Sequence, residues 1–131
     1  MSANLDLVRS IYADWERGDY SSSEWADPEI EFVIADGPEP GTWTGLNGMA
    51  KGFRDWLTPW EDFRSEANEY RVIDDERVLV LISRSGRGKS SRLEVAVTSG
   101  AVLFCLRDER VAKLVLYNDR DRALADLGLE E

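Results

Sequence analysis

The chain has 131 residues, of which 43% are hydrophobic, so it is long enough to bury the core of one domain. Its net charge of −10 argues against binding to nucleic acid or to an anionic membrane surface, because both need clustered Lys and Arg. The absence of histidine excludes Ser-His-Asp and Cys-His catalysis and every zinc or iron site with a histidine ligand. We therefore expect no metal and no cofactor, and a general base would have to be Asp, Glu, Lys or Tyr.

The N-terminus and the cysteine content bear on the cellular compartment. A single cysteine cannot form an internal disulfide, and the polar residues 1–6 contain no apolar signal segment. No apolar run approaches the ~20 residues that cross a bilayer. We therefore expect one domain, residues 1–131, in the reducing cytoplasm.

Helical patterns dominate the first part of the chain. An apolar stripe at helical spacing predicts a helix over residues 5–17 and contains Leu5, Val8, Tyr12 and Trp15. Asn4 is the expected N-cap and Gly18 the expected end of this helix. A short second helix is predicted over residues 21–25. A third is predicted over residues 46–57, where Met49, Phe53 and Trp56 recur at helical spacing.

The remaining segments are typical of strands. One strand is predicted before the third helix, over residues 29–35, and a loop rich in Gly and Pro follows it over residues 36–41. Four more strands are predicted after the helix, over residues 63–73, 77–83, 93–106 and 110–118, with turns at 74–76 and 107–109 and a loop at 86–91. Gly100 marks a bulge or bend. Asp119 is the expected cap of a short last helix that Gly128 ends.

This order predicts an α+β fold in which a curved, mostly antiparallel sheet wraps around the N-terminal helices. Five Trp residues make the interior rich in rings, and we expect some of them to line an apolar pocket rather than to serve only as core. Asp36 follows the first strand at the rim of that pocket. Apolar surroundings would raise its pKa toward that of a working base, and the alternative is a turn residue leading into Gly37.

Several strings resemble the SnoaL-like branch of the nuclear transport factor two-like superfamily. They are YADWERGD at 12–19, DPEIEF at 27–32, WTG at 43–45, WEDFR at 60–64, LRDERV at 106–111 and YNDRDRAL at 117–124. The resemblance covers nearly the whole chain. It implies a cone-shaped α+β barrel with a pocket between the sheet and the first helix, and a homodimer formed through the outer surface of the sheet.

The resemblance carries few catalytic residues onto this chain. Aligned on Gly18-Asp19 and Asp27, the tyrosine, base and acid of steroid isomerases with this fold fall on Ile11, Val33 and Val102. An offset of one to three residues would place Tyr12 and Asp36 in the first two roles. Related epoxide hydrolases place an acid near Leu116. The resemblance thus implies a pocket poor in polar groups, which favours binding over catalysis.

The leading hypothesis is a cofactor-free pocket protein that binds a compact apolar molecule. The predicted walls are Trp15, Phe32, Ile34, Trp43, Phe53, Trp56, Trp60, Val102, Phe104, Leu116 and Asn118. One alternative is an isomerase, cyclase or dehydratase acting on a ketone, with Asp36 as the base and Tyr12 holding the enolate oxygen. The other alternative is a non-catalytic structural or partner-binding dimer.

Overall fold

Three helices and six strands follow one another in the residues that the computed structural model describes, which are 3–17, 19, 24–35, 40–57, 60–88 and 94–129. The side chains of residues 3, 56–57, 60–63 and 94–99 are not among what is described. In chain order the elements are α1 Ala3–Glu16, β1 Ala26–Ile34, β2 Gly41–Thr44, α2 Gly45–Leu57, β3 Trp60–Val72, β4 Arg77–Gly88, β5 Glu94–Arg107, β6 Arg110–Tyr117 and α3 Arg120–Asp126.

The six strands form one mixed sheet in the order β2-β1-β6-β5-β4-β3. Only the β1–β6 pair among these is parallel, and it joins the first strand to the last. Register shifts interrupt the β1–β6, β3–β4, β4–β5 and β5–β6 pairs, and such bulges bend strands. The sheet is curved but not closed. The predicted α+β fold with a curved, mostly antiparallel sheet is confirmed.

Both faces of the sheet are covered. The inner face, which we define as the one that meets α1, carries Val78, Val80, Ile82, Val102, Phe104, Leu114 and Leu116. The outer face carries Leu79, Leu81, Leu103, Val115 and Tyr117, against which Ala123 and Leu124 of α3 pack. A central strand that is buried on both sides has apolar residues at consecutive positions, and this is why 78–82 form an unbroken apolar run.

Several strand boundaries differ from prediction. Strands β1 and β3 begin at Ala26 and Trp60, each three residues before the predicted start. Strand β4 continues to Gly88, so the predicted loop over residues 86–91 is wrong for its first three residues. Those polar residues are strand because β4 pairs on both sides, with β3 and with β5, and its backbone groups are satisfied there. Strand β2 was not predicted. It is four residues long and exists as the antiparallel partner of β1.

The helix ends give a mixed result. Asp119 caps α3 by accepting a hydrogen bond from the Asp121 backbone N–H, and Gly128 follows that helix with a φ of 69°, so both predictions are confirmed. Asn4 is not the N-cap of α1, because the helix already includes Ala3. Residues 21–23 of the predicted second helix, and Gly18, lie outside the described residues, and Glu24-Trp25 form a turn.

Candidate functional site

Helix α1 is fixed against the inner face by its apolar stripe and by contacts near both ends. Val8 and Tyr12 are at most 1% exposed. Near the start, Asn4 Nδ2 donates to the Asp75 carbonyl oxygen at 2.6 Å. At the end, Glu16 Oε2 accepts the Ala67 N–H at 3.1 Å, beside a register shift in β3. These contacts hold the side chains of α1 at defined positions over β3 and β4.

The ring cluster lies between α1, α2 and the inner face; it consists of Tyr12, Trp15, Trp25, Phe32, Trp43, Phe53 and Phe104. Trp15 lies at its centre, with ring centroids 5.2 Å from Tyr12, 5.6 Å from Phe53 and 5.8 Å from Phe104. The Phe32 and Phe53 rings are stacked at 4.6 Å. Edge and offset contacts of this kind add to the stabilisation from burying the rings.

Two glycines bring α2 close to β1 and β2. A Cβ atom at Gly52 would lie 2.7 Å from Phe32 Cδ2, which is closer than real Cβ contacts, and 3.0 Å from Trp43 Cδ2, which is tighter than most of them. Gly48 lies one turn earlier, and a Cβ there would meet Trp43 atoms at 3.4 Å, an ordinary contact. The lack of a side chain at Gly52 is therefore what lets Phe32 reach Phe53.

A buried hydroxyl pair lies beside the rings. Tyr12 Oη and Ser65 Oγ share a hydrogen bond, and the two residues are 1% and 8% exposed. Tyr12 comes from α1 and Ser65 from β3, so the bond joins helix to sheet. Ser65 is paired across the strands with Arg84 of β4, which is 6% exposed. Facing residues of antiparallel strands have Cβ atoms about 5 Å apart, so Arg84 leaves the sheet next to Ser65.

The Arg84 head group lies over β5 on the inner face. Arg84 follows Val80 and Ile82 in the alternation of β4, and its Nη2 would be 3.2 Å from a Cβ built on Gly100. From there Nη2 donates to Asn118 Oδ1 at 2.6 Å and to the Tyr117 carbonyl oxygen at 3.4 Å. The strand pairing of Gly100 with Ile82 ends at a register shift, which confirms the predicted bulge. We call Tyr12, Ser65, Arg84 and Asn118 the donor cluster.

Most of the predicted pocket residues are brought together. Within one core cluster lie Tyr12, Trp15, Phe32, Ile34, Val102, Phe104 and Leu116, with Trp43 and Phe53 packed against it. Asn118 is half-buried at the end of β6. Asp36 and the side chains of Trp56 and Trp60 lie outside the described residues. The rings touch one another as core side chains do, and their role as the walls of a pocket stays a prediction.

Sequence reasoning missed Ser65 and Arg84. Both are buried on the inner face among mostly apolar side chains, and the expectation of a pocket poor in polar groups stays a prediction. A signal for Arg84 was present: the alternation of Val78, Val80 and Ile82 continues to residue 84 if the strand is extended by one residue beyond Ser83. Ser65 has no such signal, since the register of β3 shifts on both sides of it.

The contact region between α1 and β3, which we call the seam, also contains the titratable side chain of Tyr70. Tyr70 packs against the inner core, and the Arg9 guanidinium lies 5.3 Å from its ring centroid. Burial raises the pKa of Tyr70 above its ordinary value of 10.0, the negative charge of Glu16 raises it further, and Arg9 opposes both. The phenol is therefore neutral at pH 7.

A separate groove of about 320 Å³ lies between α1 and the β5–β6 turn, lined by Leu7, Ser10, Ile11, Asp14, Glu24, Trp25, Glu109 and Arg110. Its carboxylates do not make a metal site, and no group of three or more His, Cys, Asp or Glu in the described part of the chain is placed to hold a metal ion. No helix among the same residues is long and apolar enough to span a membrane.

Comparison with known families explains this architecture. The model of the SnoaL-like domain matches residues 8–114, which include α1 from Val8 onward, the whole of β1 to β5 and the donor-cluster residues except Asn118. The chain belongs to the SnoaL-like domain family. That match confirms the resemblance found in the sequence. No curated protein matches the sequence.

Solved structures with a similar fold align over nearly the whole length of this SnoaL-like chain. An NTF2-like protein of unknown function from Burkholderia pseudomallei has a TM-score of 0.78 at 19% identity, covering 95% of this chain and 97% of its own. TerC, crystallised with polyporic acid, has 0.76 at 19%, covering 96% and 98%. A protein assigned as a SnoaL-like polyketide cyclase from Jannaschia sp. has 0.77 at 13%, covering 98% and 94%. At these identities the likeness shows the fold alone.

Proposed function

We propose that this SnoaL-like protein binds a compact, largely apolar small molecule inside the cone, with an acceptor oxygen of the ligand meeting the Tyr12–Ser65 pair. The observation that carries the proposal is the burial of these two hydroxyl groups beside the ring cluster. Small-molecule sites combine apolar and aromatic walls with a few placed polar groups that orient the ligand. The donor cluster and the rings supply both kinds of group on one face of the sheet.

Hydroxyl chemistry sets the class of ligand. Tyr and Ser hydroxyls each donate and accept, so the pair can turn one O–H toward a carbonyl, lactone or ether oxygen. A ligand without such an oxygen would leave buried polar groups facing apolar atoms, which costs affinity. We therefore expect a ketone or lactone to bind better than the hydrocarbon of the same shape.

A thermal-shift experiment tests this with 1-tetralone and tetralin, two bicyclic molecules that differ by one carbonyl group. A ligand that binds only the folded state raises the melting temperature, and 1-tetralone is expected to raise it more. Tyr12→Phe keeps the ring and removes the hydroxyl, so it should weaken 1-tetralone binding about threefold to tenfold and leave tetralin unchanged.

Tyr117→Phe is the matched control. Tyr117 lies on the outer face, where its hydroxyl donates to Asp126 Oδ2 at 3.2 Å, so its removal should change neither ligand's affinity. If saturating amounts of neither ligand, nor of any other apolar ketone or lactone, raise the melting temperature, the binding proposal fails.

A second candidate is a cofactor-free isomerase, cyclase or dehydratase acting on a ketone. It is favoured by the buried phenol of Tyr12 and by the path of β1, whose buried last residue, Ile34, precedes Asp36 by two positions. In this hypothesis Asp36 removes a proton next to the carbonyl and Tyr12 stabilises the enolate oxygen. Wild-type protein should then speed deuterium exchange at C2 of 1-tetralone, as followed by NMR, and Asp36→Asn should abolish the effect. Equal exchange in both proteins would exclude this role for Asp36.

We also propose a homodimer, as expected for a SnoaL-like chain. Light scattering at micromolar concentration should give twice the mass of 14.8 kDa, and a mass of one chain would contradict the proposal. A dimer whose melting temperature responds to none of the ligands would favour the structural or partner-binding alternative.

A further inference from the structure

The groove between α1 and the β5–β6 turn has an apolar wall of its own, made by Leu7 and Ile11 of α1 and by Trp25. The Trp25 ring meets the Trp15 ring edge-on, with centroids 5.9 Å apart, so it belongs both to the core and to the groove. A volume of about 320 Å³ lies at the lower end of the range for small-molecule sites. The groove therefore has room for a small ring system.

Backbone pairing fixes the two sides of the groove relative to each other. The Val111 N–H donates to the Trp25 carbonyl oxygen at 2.8 Å, and Ala26 pairs with Val111 where β1 meets β6. On the other side, Asp108 and Glu109 have φ angles of 54° and 65°, as in the two-residue turn of a tight hairpin. The walls are thus held by the sheet before any ligand arrives.

Carboxylates outnumber cations among the described residues that line the groove. Asp14, Glu24 and Glu109 contribute carboxylates, and Arg110 contributes a guanidinium. Asp14 forms an ion pair with Arg17. The negative charge offered to a ligand therefore comes mainly from Glu24 and Glu109, and Arg110 opposes it.

The other polar group of the lining also suits a donor ligand. Ser10 Oγ donates to the Leu7 carbonyl oxygen at 2.8 Å, so its own oxygen remains as an acceptor. Carboxylates likewise accept and do not donate. The Trp25 ring adds a surface that attracts positive charge, since indole is the best of the aromatic rings at this. Acceptors beside an aromatic wall favour a ligand that carries a positive charge and N–H groups.

We propose that the groove binds a small organic cation, a protonated amine attached to an apolar ring. The ring lies against Leu7, Ile11 and Trp25, and the ammonium group faces Glu24 and Glu109. This site goes beyond the proposed function, because it is a second site with a charged ligand and shares neither hydroxyl of the Tyr12–Ser65 pair.

Titration calorimetry at pH 7 tests the proposal with 1-naphthylmethylamine, which is protonated, and 1-naphthalenemethanol, in which a hydroxyl replaces the ammonium group. The amine is expected to bind about threefold to tenfold more tightly, because its charge-assisted hydrogen bonds are partly screened by solvent in an open groove. An amine that binds no more tightly than the alcohol would overturn the proposal.

Glu109→Gln and Asp108→Asn separate the groove from the field of the whole chain. The net charge of −10 attracts cations at long range, and each substitution removes one negative charge from the same turn. Glu109 lines the groove and Asp108 does not. Glu109→Gln should weaken amine binding about threefold and leave the alcohol unchanged, whereas Asp108→Asn should change neither. Equal losses in the two variants would mean that the amine responds only to the net charge.

Two further variants give results that a misfolded protein would not. Arg110→Gln removes the opposing charge, so it should tighten amine binding about threefold. Glu109→Gly places glycine at a left-handed φ, so the melting temperature should rise by a few degrees while amine binding weakens. If Arg110→Gln weakens amine binding as Glu109→Gln does, shape and not charge determines binding, and the cation site is wrong.

The same variants distinguish this proposal from the proposed function. Glu109→Gln should leave the thermal shift with 1-tetralone unchanged, and Tyr12→Phe should leave amine binding unchanged. If Tyr12→Phe weakens amine binding and Glu109→Gln does not, the amine enters the cone and the groove proposal falls. A protein that responds to no ketone or lactone, but binds the amine through Glu109, would retain the groove site and lose the proposed function.

Discussion

The inner face has an aromatic half and a polar half, and each depends on one glycine. In the aromatic half, Gly52 of α2 lets the Phe32 ring approach the helix. In the polar half, Gly100 of β5 lets the Arg84 head group cross the strand to Asn118. The neighbour at Gly52 is an apolar ring fixed by packing, whereas the neighbour at Gly100 is the end of a long side chain. The absence of a side chain therefore serves stability in one half and positioning in the other.

Gly52→Ala should have the larger effect on stability. Its Cβ would lie 2.7 and 2.8 Å from two atoms of the Phe32 ring, which is fully buried and stacked on Phe53. Overpacking of a core costs about 1–3 kcal/mol, and the better helix propensity of Ala returns up to about 1 kcal/mol. We expect the free energy of unfolding, from urea denaturation, to fall by about 1–2 kcal/mol.

Gly48→Ala is the matched control in the same helix. A Cβ there meets Trp43 at ordinary contact distance, so the gain in helix propensity should prevail and raise the free energy of unfolding by about 0.5–1 kcal/mol. Equal effects of the two substitutions would show that propensity, and not the approach of Phe32, determines the result at Gly52.

Gly100→Ala should have an intermediate effect, about 1 kcal/mol of destabilisation. Its Cβ would lie 3.2 Å from both Arg84 Nη2 and the Tyr117 carbonyl oxygen. The arginine head can move, but it then leaves Asn118. In an Arg84→Met background no guanidinium needs to move, so the cost of Gly100→Ala should be smaller by about 0.5 kcal/mol or more in a double-mutant cycle. If the effects of the two substitutions are strictly additive, Gly100 does not determine where the Arg84 head group lies.

The two halves also differ in how far sequence could predict them. The stripe of α1 predicted that Tyr12 and Trp15 share a face, because helical spacing is a local property. Strand alternation likewise placed Val102, Phe104 and Leu116 together, and all three lie on the inner face. The residues of the aromatic half can therefore be predicted from helical spacing and strand alternation.

The polar half depends on pairing between distant segments. Tyr12 meets Ser65 only because β3 has bulges that set which residue faces α1, and no local pattern encodes a bulge there. Arg84 meets Asn118 across β5, 34 positions along the chain. Likewise β2 has no pattern of its own and forms by pairing with β1. Register between strands is a tertiary property, so these contacts required the structure.

The smallest expected effect concerns the seam that joins α1 to β3, next to the polar half. The native state holds the Tyr70 proton more tightly than the unfolded chain does, because burial and then Glu16 raise its pKa. The contribution of Tyr70 to stability is therefore fully present below pH 10 and is lost as the pH rises through the raised pKa. Tyr70→Phe should make the free energy of unfolding fall less steeply above pH 10 than it does in wild-type protein.

Arg9→Gln tests whether the Tyr70 pKa causes this loss of stability at alkaline pH. Arg9 lowers the Tyr70 pKa, so its removal should raise that pKa further and make the protein lose more stability at alkaline pH. The Tyr70 titration is isolated as the difference in tyrosinate absorbance between Arg9→Gln and the double variant with Tyr70→Phe. A Tyr70 pKa that stays or falls when Arg9 is removed would mean that the guanidinium over the ring acts through packing alone. The charge pattern at the seam would then have no part in holding α1 over the polar half.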